Sequence, residues 1–120
     1  MSVTLTTIYA NVRLDTGLVA STTISDTTDM PRWVREAYSE ILRLTPFRRL
    51  KASGALLART LADDATELPD ELDDVQGAVE AYVAFKVHVK SNEDERGRAR
   101  AVEAYNRYLT IIGIPPAPEG

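Results

Sequence analysis

The sequence predicts a mainly α-helical fold: a four-helix, antiparallel bundle-like domain followed by an extended C-terminal arm. Three observations predict it. Apolar residues recur at intervals of three and four in four separate stretches. Those stretches are separated by residues that end helices, namely Gly17, the pair Thr45–Pro46 and the polar pair Ser91–Asn92. After the last stretch, Pro115, Pro116 and Pro118 fix φ and remove backbone donors, which favours extended chain. Residues 1–112 are therefore expected to form one helical domain and residues 113–120 an arm.

The first helix is expected from about Thr4 to Thr16, where Leu5, Ile8, Tyr9 and Val12 form one stripe and Gly17 supplies the stop. Residues 18–29, LVASTTISDTTD, read as a loop, because Ser, Thr and Asp bond their own backbone in competition with helix. Leu18, Val19 or Ile24 is expected to pin that loop to the core. A second helix starts near Thr28 to Met30, with Thr28 or Asp29 as cap and Pro31 in the first turn. Val34, Ala37, Tyr38, Ile41 and Leu42 form its stripe, and Trp33 and Leu44 widen it. Residues 47–68 carry no clear period. They are expected to hold either a short β-hairpin or a surface loop, although GALLARTLADD by itself also has a helical pattern.

The third helix is expected from Asp70, as cap, to about Lys90. Glu71, Asp73 and Asp74 suit the positive end of its dipole. Leu72, Val75, Ala78, Val79, Tyr82, Phe85 and Val89 make a broad apolar face that Val83 and Val87 extend, so this helix should be sandwiched between neighbours. After a short turn the fourth helix spans about Glu93 to Ile111, with Ala101, Val102, Tyr105, Tyr108, Leu109 and Ile112 facing inward. A turn so short makes the third and fourth helices antiparallel neighbours.

Hydrophobic residues at 44% and charged residues at 27% are globular proportions, so the chain is expected to fold. There is no cysteine, which excludes disulfides and thiolate chemistry and fits a cytosolic setting. The first residues lack the basic-then-apolar pattern of a secretory signal, and no stretch approaches the ~20 apolar residues of a membrane span. The net charge of −4 argues against sequence-independent DNA binding. Charge is unevenly placed, however. Residues 32–59 carry seven basic side chains against two acidic, and residues 61–80 carry eight acidic and no basic. Such segments either neutralise each other within one chain or meet between copies, and head-to-tail contacts close into rings.

Catalytic chemistry has little to draw on. His88 is the sole histidine, set between Val87 and Val89, and reads as a partly buried helix residue rather than a base. Asp63–Asp64 and Asp73–Asp74 are adjacent pairs that do not share a helix face, and all six glycines are isolated, which excludes a phosphate-binding loop. No enzyme activity, cofactor or metal is expected. The cluster Arg43, Arg48, Arg49 and Lys51, with Arg96, Arg98 and Arg100, leaves one alternative, a small helical DNA-binding or regulatory protein. Against it, LTPFRRLKASG is a poor match to a turn followed by a recognition helix.

The stretches TLTTIYANVRLDTG, STTISDTTD, WVREAYSEIL, ELPDELDDV, SNEDERGRA and AVEAYNRYLTII, followed by an extended tail, cover most of the chain. In this order and spacing they resemble the small head–tail connector (adaptor) proteins of tailed bacteriophages. FRRLKASGALLART has no counterpart in that pattern. The resemblance implies a structural virion protein at the head–tail junction, present in the host cytoplasm during assembly. It implies a dodecameric ring of identical subunits, docked on the portal ring and presenting a platform to a tail-side protein, with DNA passing through the channel and no membrane involved. The portal-docking arm would be Gly113, Ile114, Pro115, Pro116, Ala117 and Pro118. Contacts between subunits would draw on Arg43, Arg48, Arg49 and Lys51 against Asp70, Asp73 and Asp74. Asp63, Asp64 and Glu67 are candidates for the channel wall, where carboxylates would repel DNA and let it slide.

Overall fold

The computed structural model describes residues 4–17, 24–50, 54–62, 65–91 and 95–113. Four helices carry the fold: α1 (Leu5–Thr16), α2 (Asp29–Leu44), α3 (Gln76–Ser91) and α4 (Glu95–Ile111). Helix α1 begins as its sequence predicts. The Thr4 hydroxyl accepts the Thr7 N–H at the N-cap, and the Gly17 N–H closes the other end on Arg13 and Leu14 carbonyls at φ +75°. Leu5, Ile8, Tyr9 and Val12 are all buried.

Helix α2 is capped differently from expectation. Thr28 is the N-cap but makes no side-chain bond to the helix. The carboxylate of Asp29 instead accepts the Ser25 N–H at 3.1 Å and the Lys90 ammonium at 2.7 Å. This buried group ties the start of α2 to the end of α3. At the opposite end, Arg48 donates to both carboxylate oxygens of Asp74 at 2.8 Å. The two bridges make α2 and α3 antiparallel.

Helix α3 is the centre of the molecule. Ala78, Val79, Ala81, Tyr82, Val83, Ala84 and Val87 are buried, and α1, α2 and α4 all pack against it. Near its start the Ile111 side chain of α4 lies 3.4 Å from where a Gly77 Cβ would sit, as expected for antiparallel partners. Helix α1 runs the same way as α3, with Asn11 bonded to Glu80 at 2.7 Å and Asp15 close to His88. Arg107 of α4 reaches Asp15 at 2.8 Å.

Several expectations need correction. Residues 70–75 form a 3₁₀ turn led by Pro69, so Asp70 does not cap the third helix. Among the described residues there is no β-hairpin between α2 and α3, and GALLARTLADD contributes no helix. A 3₁₀ turn, Pro46–Arg49, is followed by one antiparallel bridge, Leu50 to Leu56, and a second bridge pairs Thr4 with Glu67. The connection is held by distant partners instead of by its own pattern. The Tyr38 hydroxyl donates to the Ala58 carbonyl at 2.6 Å, Arg49 donates to the Leu57 carbonyl at 3.0 Å, and the Leu5 N–H bonds the Thr66 carbonyl at 2.9 Å. Val89 and Val102, expected inside, are exposed, whereas Ala81, Ala84 and Ala104 are buried. Of the loop anchors, Ile24 is buried, and Leu18 and Val19 lie outside the described residues, as does the turn at 92–94.

Replacing Asp29 with Ala leaves the Ser25 N–H and Lys90 without their acceptor, at a cost of about 2 kcal/mol. Urea unfolding followed by the fluorescence of Trp33 measures it. The bonds from Lys90 and Ser25 hold the Asp29 pKa below its ordinary value. Its contribution is therefore complete above the usual carboxylate range and is lost as pH falls through the folded pKa, and the Ala variant should lack that part of the acid dependence.

Candidate functional site

The solvent side of α2 repeats charge at helical spacing through Arg32, Arg35, Glu36, Ser39, Glu40 and Arg43. This side borders a groove of about 610 Å³ between α2 and the connection that follows it. Tyr82 of α3 lies in its floor, and Thr60 and Leu61 form part of its wall. A second hollow of about 480 Å³ shares Ser39, Arg43 and Thr60 and continues past Leu42, Pro46, Arg49 and Arg59. Five arginines thus face the combined groove against two carboxylates.

Several of these charges are braced. Arg32 lies 3.4 Å from Asp29, Arg43 lies 2.8 Å from Glu40, and Lys86 lies 3.4 Å from Glu36. The Tyr82 hydroxyl points to Glu36 at 3.5 Å. Burial, with Glu36 and Glu40 nearby, pushes its pKa up to about 12. Beneath the floor the rings of Tyr82 and Tyr108 meet edge to face at 5.3 Å, and Phe85 and Tyr105 complete the cluster. Tyr108 is wholly buried, its hydroxyl has no hydrogen-bond partner, and burial raises its pKa strongly.

Beyond the end of α2 lies an apolar patch. Phe47, Leu50 and Leu56 are 71%, 60% and 61% exposed, within one short connection. Together they leave apolar area that the described residues of this chain do not cover. Arg48 stacks over the Phe47 ring at 5.3 Å while holding Asp74.

The residues expected to join neighbouring subunits are therefore partly engaged inside the chain. Arg48 is paired with Asp74, Arg43 with Glu40, and Arg49 with the Leu57 carbonyl. This realises, for Arg48 and Asp74, the internal neutralisation that the charge pattern also allowed. Asp70 is exposed and Asp73 half-buried on the 3₁₀ turn. Glu67 is exposed, whereas Lys51, Asp63 and Asp64 lie outside the described residues. Of the arm, Gly113 is described, with φ +86°, and residues 114–118 are not. Among the described residues no group of three His, Asp or Glu side chains could hold a metal ion, and no helix is long and apolar enough to cross a membrane.

His88 sits in another hollow, of about 390 Å³, with Asp15, Arg100, Glu103 and Arg107 around it. The imidazole is buried and its Nδ1 has no partner. Burial lowers its pKa, Arg100 and Arg107 add to the shift, and Asp15 opposes it. Comparison with known proteins gives no match: no family model, no curated protein and no solved structure is significantly similar to this chain.

These buried groups lead to two expected outcomes. Tyr108→Phe removes a hydroxyl that lost its water on folding and gained nothing, so it should raise stability by about 1 kcal/mol in urea unfolding. The single imidazole should titrate by NMR with a midpoint below the ordinary value of about 6.5. Below that value the unfolded chain takes up the proton first, so His88 makes folding less favourable as pH falls through this window, and His88→Gln should flatten that slope.

Proposed function

We propose that this protein is a structural subunit of the head–tail junction of a tailed bacteriophage. In this reading identical copies form a ring on the portal, the ring receives a tail-side protein, and DNA passes through its channel without specific binding. The observation that carries the reading is the order and spacing of the chain's elements, which resembles the small connector proteins over most of the sequence. The fold is compatible with it, since a short helix, a pinned loop, a second helix, a long connection and two long antiparallel helices occur in the expected order.

Two surface features give the reading a physical basis. Phe47, Leu50 and Leu56 leave apolar area uncovered within one short connection. The basic groove along α2 and the acidic turn at residues 70–75 are distinct regions of one molecule, which suits heterologous contacts between copies. The portal-docking role belongs to Gly113, Ile114, Pro115, Pro116, Ala117 and Pro118, a segment whose prolines limit the ordering entropy lost on binding. The DNA-binding alternative is weaker on the present fold. Residues Pro46–Arg49 form a 3₁₀ turn, among the described residues no helix follows it before the turn at 70–75, and Arg48 is already held by Asp74.

The test is binding to the assembled portal ring of the same genome. The full-length protein should bind, and truncation after Ile112 should weaken binding by about 100-fold, or about 2.7 kcal/mol. Binding unchanged by truncation would remove the arm from the reading. Absence of binding by the full-length chain, with salt-sensitive affinity for duplex DNA in its place, would overturn the reading in favour of the regulator.

A further inference from the structure

The α2 groove and the end of α4 are joined by a short physical path. Tyr82, in the groove floor, packs against Tyr108 of α4 at a ring distance of 5.3 Å. One turn later the Ile112 N–H bonds the Tyr108 carbonyl at 3.2 Å, and the Gly113 N–H bonds the Thr110 carbonyl at 3.1 Å. Arg43 is within electrostatic reach of Tyr105 and Tyr108, and five residues of helix advance only ~7.5 Å, so the chain leaves α4 within reach of the groove's Arg43 end. Gly113 leaves in a left-handed conformation, φ +86°, which turns the backbone away from the helix axis.

Beyond Gly113 the sequence is IPPAPEG, residues 114–120. Seven residues in polyproline geometry span ~22 Å. This peptide offers one aliphatic side chain, three proline rings and one charged side chain, the carboxylate of Glu119. The groove offers complementary chemistry. Leu61 and Pro46 supply apolar surface, with the edges of the buried Tyr82 and Leu42 below them, chemistry of the kind that receives proline-rich segments. Arg32, Arg35, Arg43, Arg49 and Arg59 against Glu36 and Glu40 leave a formal excess of three positive charges among its lining residues.

We propose that residues 114–120 dock in the α2 groove of their own chain, with Ile114 and the prolines on the Tyr82 and Leu61 surface and Glu119 among the arginines. The same chain is favoured over a neighbour because a tether this short presents the segment at a millimolar effective concentration. A second copy must in addition give up translational and rotational freedom. The inference rests on this geometry and charge, and it holds whether or not the protein binds a portal.

The absence of native cysteine makes a direct test available on the full chain. Ala117→Cys carries a nitroxide, and amide intensities are compared before and after reduction of the label. Amides of Ser39, Arg43 and Thr60 should lose most of their intensity, equally in dilute and concentrated samples. A mixture of isotope-labelled protein without the nitroxide and unlabelled protein carrying it should show no such loss. Losses in that mixture would assign the groove to a second copy and overturn docking within the chain. Undiminished groove amides in the labelled chain itself would overturn the proposal outright. Arg43→Glu, at an exposed position, should restore most of the lost intensity while the remaining spectrum stays folded. Persistent full broadening in that variant would overturn the charge pairing on which the placement of Glu119 depends.

Discussion

The structure depends on the need to enclose α3. Its apolar residues do not form one stripe. Ala78, Val79, Ala81, Tyr82, Val83, Ala84 and Val87 take in nearly every direction around the axis, and all are buried. Such a helix is stable only with neighbours on several sides, at about 1.5–3 kcal/mol for each large side chain removed from water. The alanines at 78, 81 and 84 let neighbouring helices approach closely, while Tyr82 fills the space between them. Helices α1, α2 and α4 are placed by this requirement, and the polar bridges at Asp29–Lys90 and Arg48–Asp74 then fix the register of α2 on α3.

The groove is a consequence of that arrangement. Helix α2 covers one side of α3, and the connection returning past it at Thr60 and Leu61 leaves a furrow along α2 with Tyr82 in its floor. The rings beneath it keep the floor firm, because Tyr82 contacts Phe85 and Tyr108, and Tyr105 closes the cycle by contacting both of these. Charge on the outer side of α2 cannot be buried, so it lines the furrow. Pairing of Arg43 with Glu40 and of Lys86 with Glu36 reduces the repulsion among the basic groups without cancelling it.

The helices were legible because their buried residues are large and periodic. In α1 and α2 every residue assigned to the principal stripe is buried, as is Trp33. Legibility failed where the deciding partner is far away in sequence. The connection's local pattern did not decide its structure, because the backbone at Leu57, Ala58 and Thr66 is bonded to Arg49, Tyr38 and Leu5. Val89 has the right spacing but lies in the last turn of α3 and is exposed, as is Val102, whereas Ala104 is small enough to escape notice in a pattern of larger residues. The acids at 70–74 read as the first turn of an α-helix, but the chain after Pro69 winds into a 3₁₀ turn that places Asp74 under Arg48. The groove was not legible at all, since it joins residues 32–43, 46–49, 59–61 and 82. The arginine cluster signalled a charged surface but not its shape.

The two proposals for the C-terminal segment constrain each other. A segment seated in its own groove is not free to engage a portal, and the portal must compete for it. If the groove holds the segment ten to one, the apparent affinity for a portal falls about tenfold, equivalent to about 1.4 kcal/mol. A ring of identical subunits bears that cost once per subunit but also multiplies the docking contacts, and linked contacts gain far more than tenfold in avidity. A lone subunit would then bind poorly while a ring binds well. The same few residues would discourage premature attachment and still serve as the anchor in the finished assembly, with no conformational change required of the helical core.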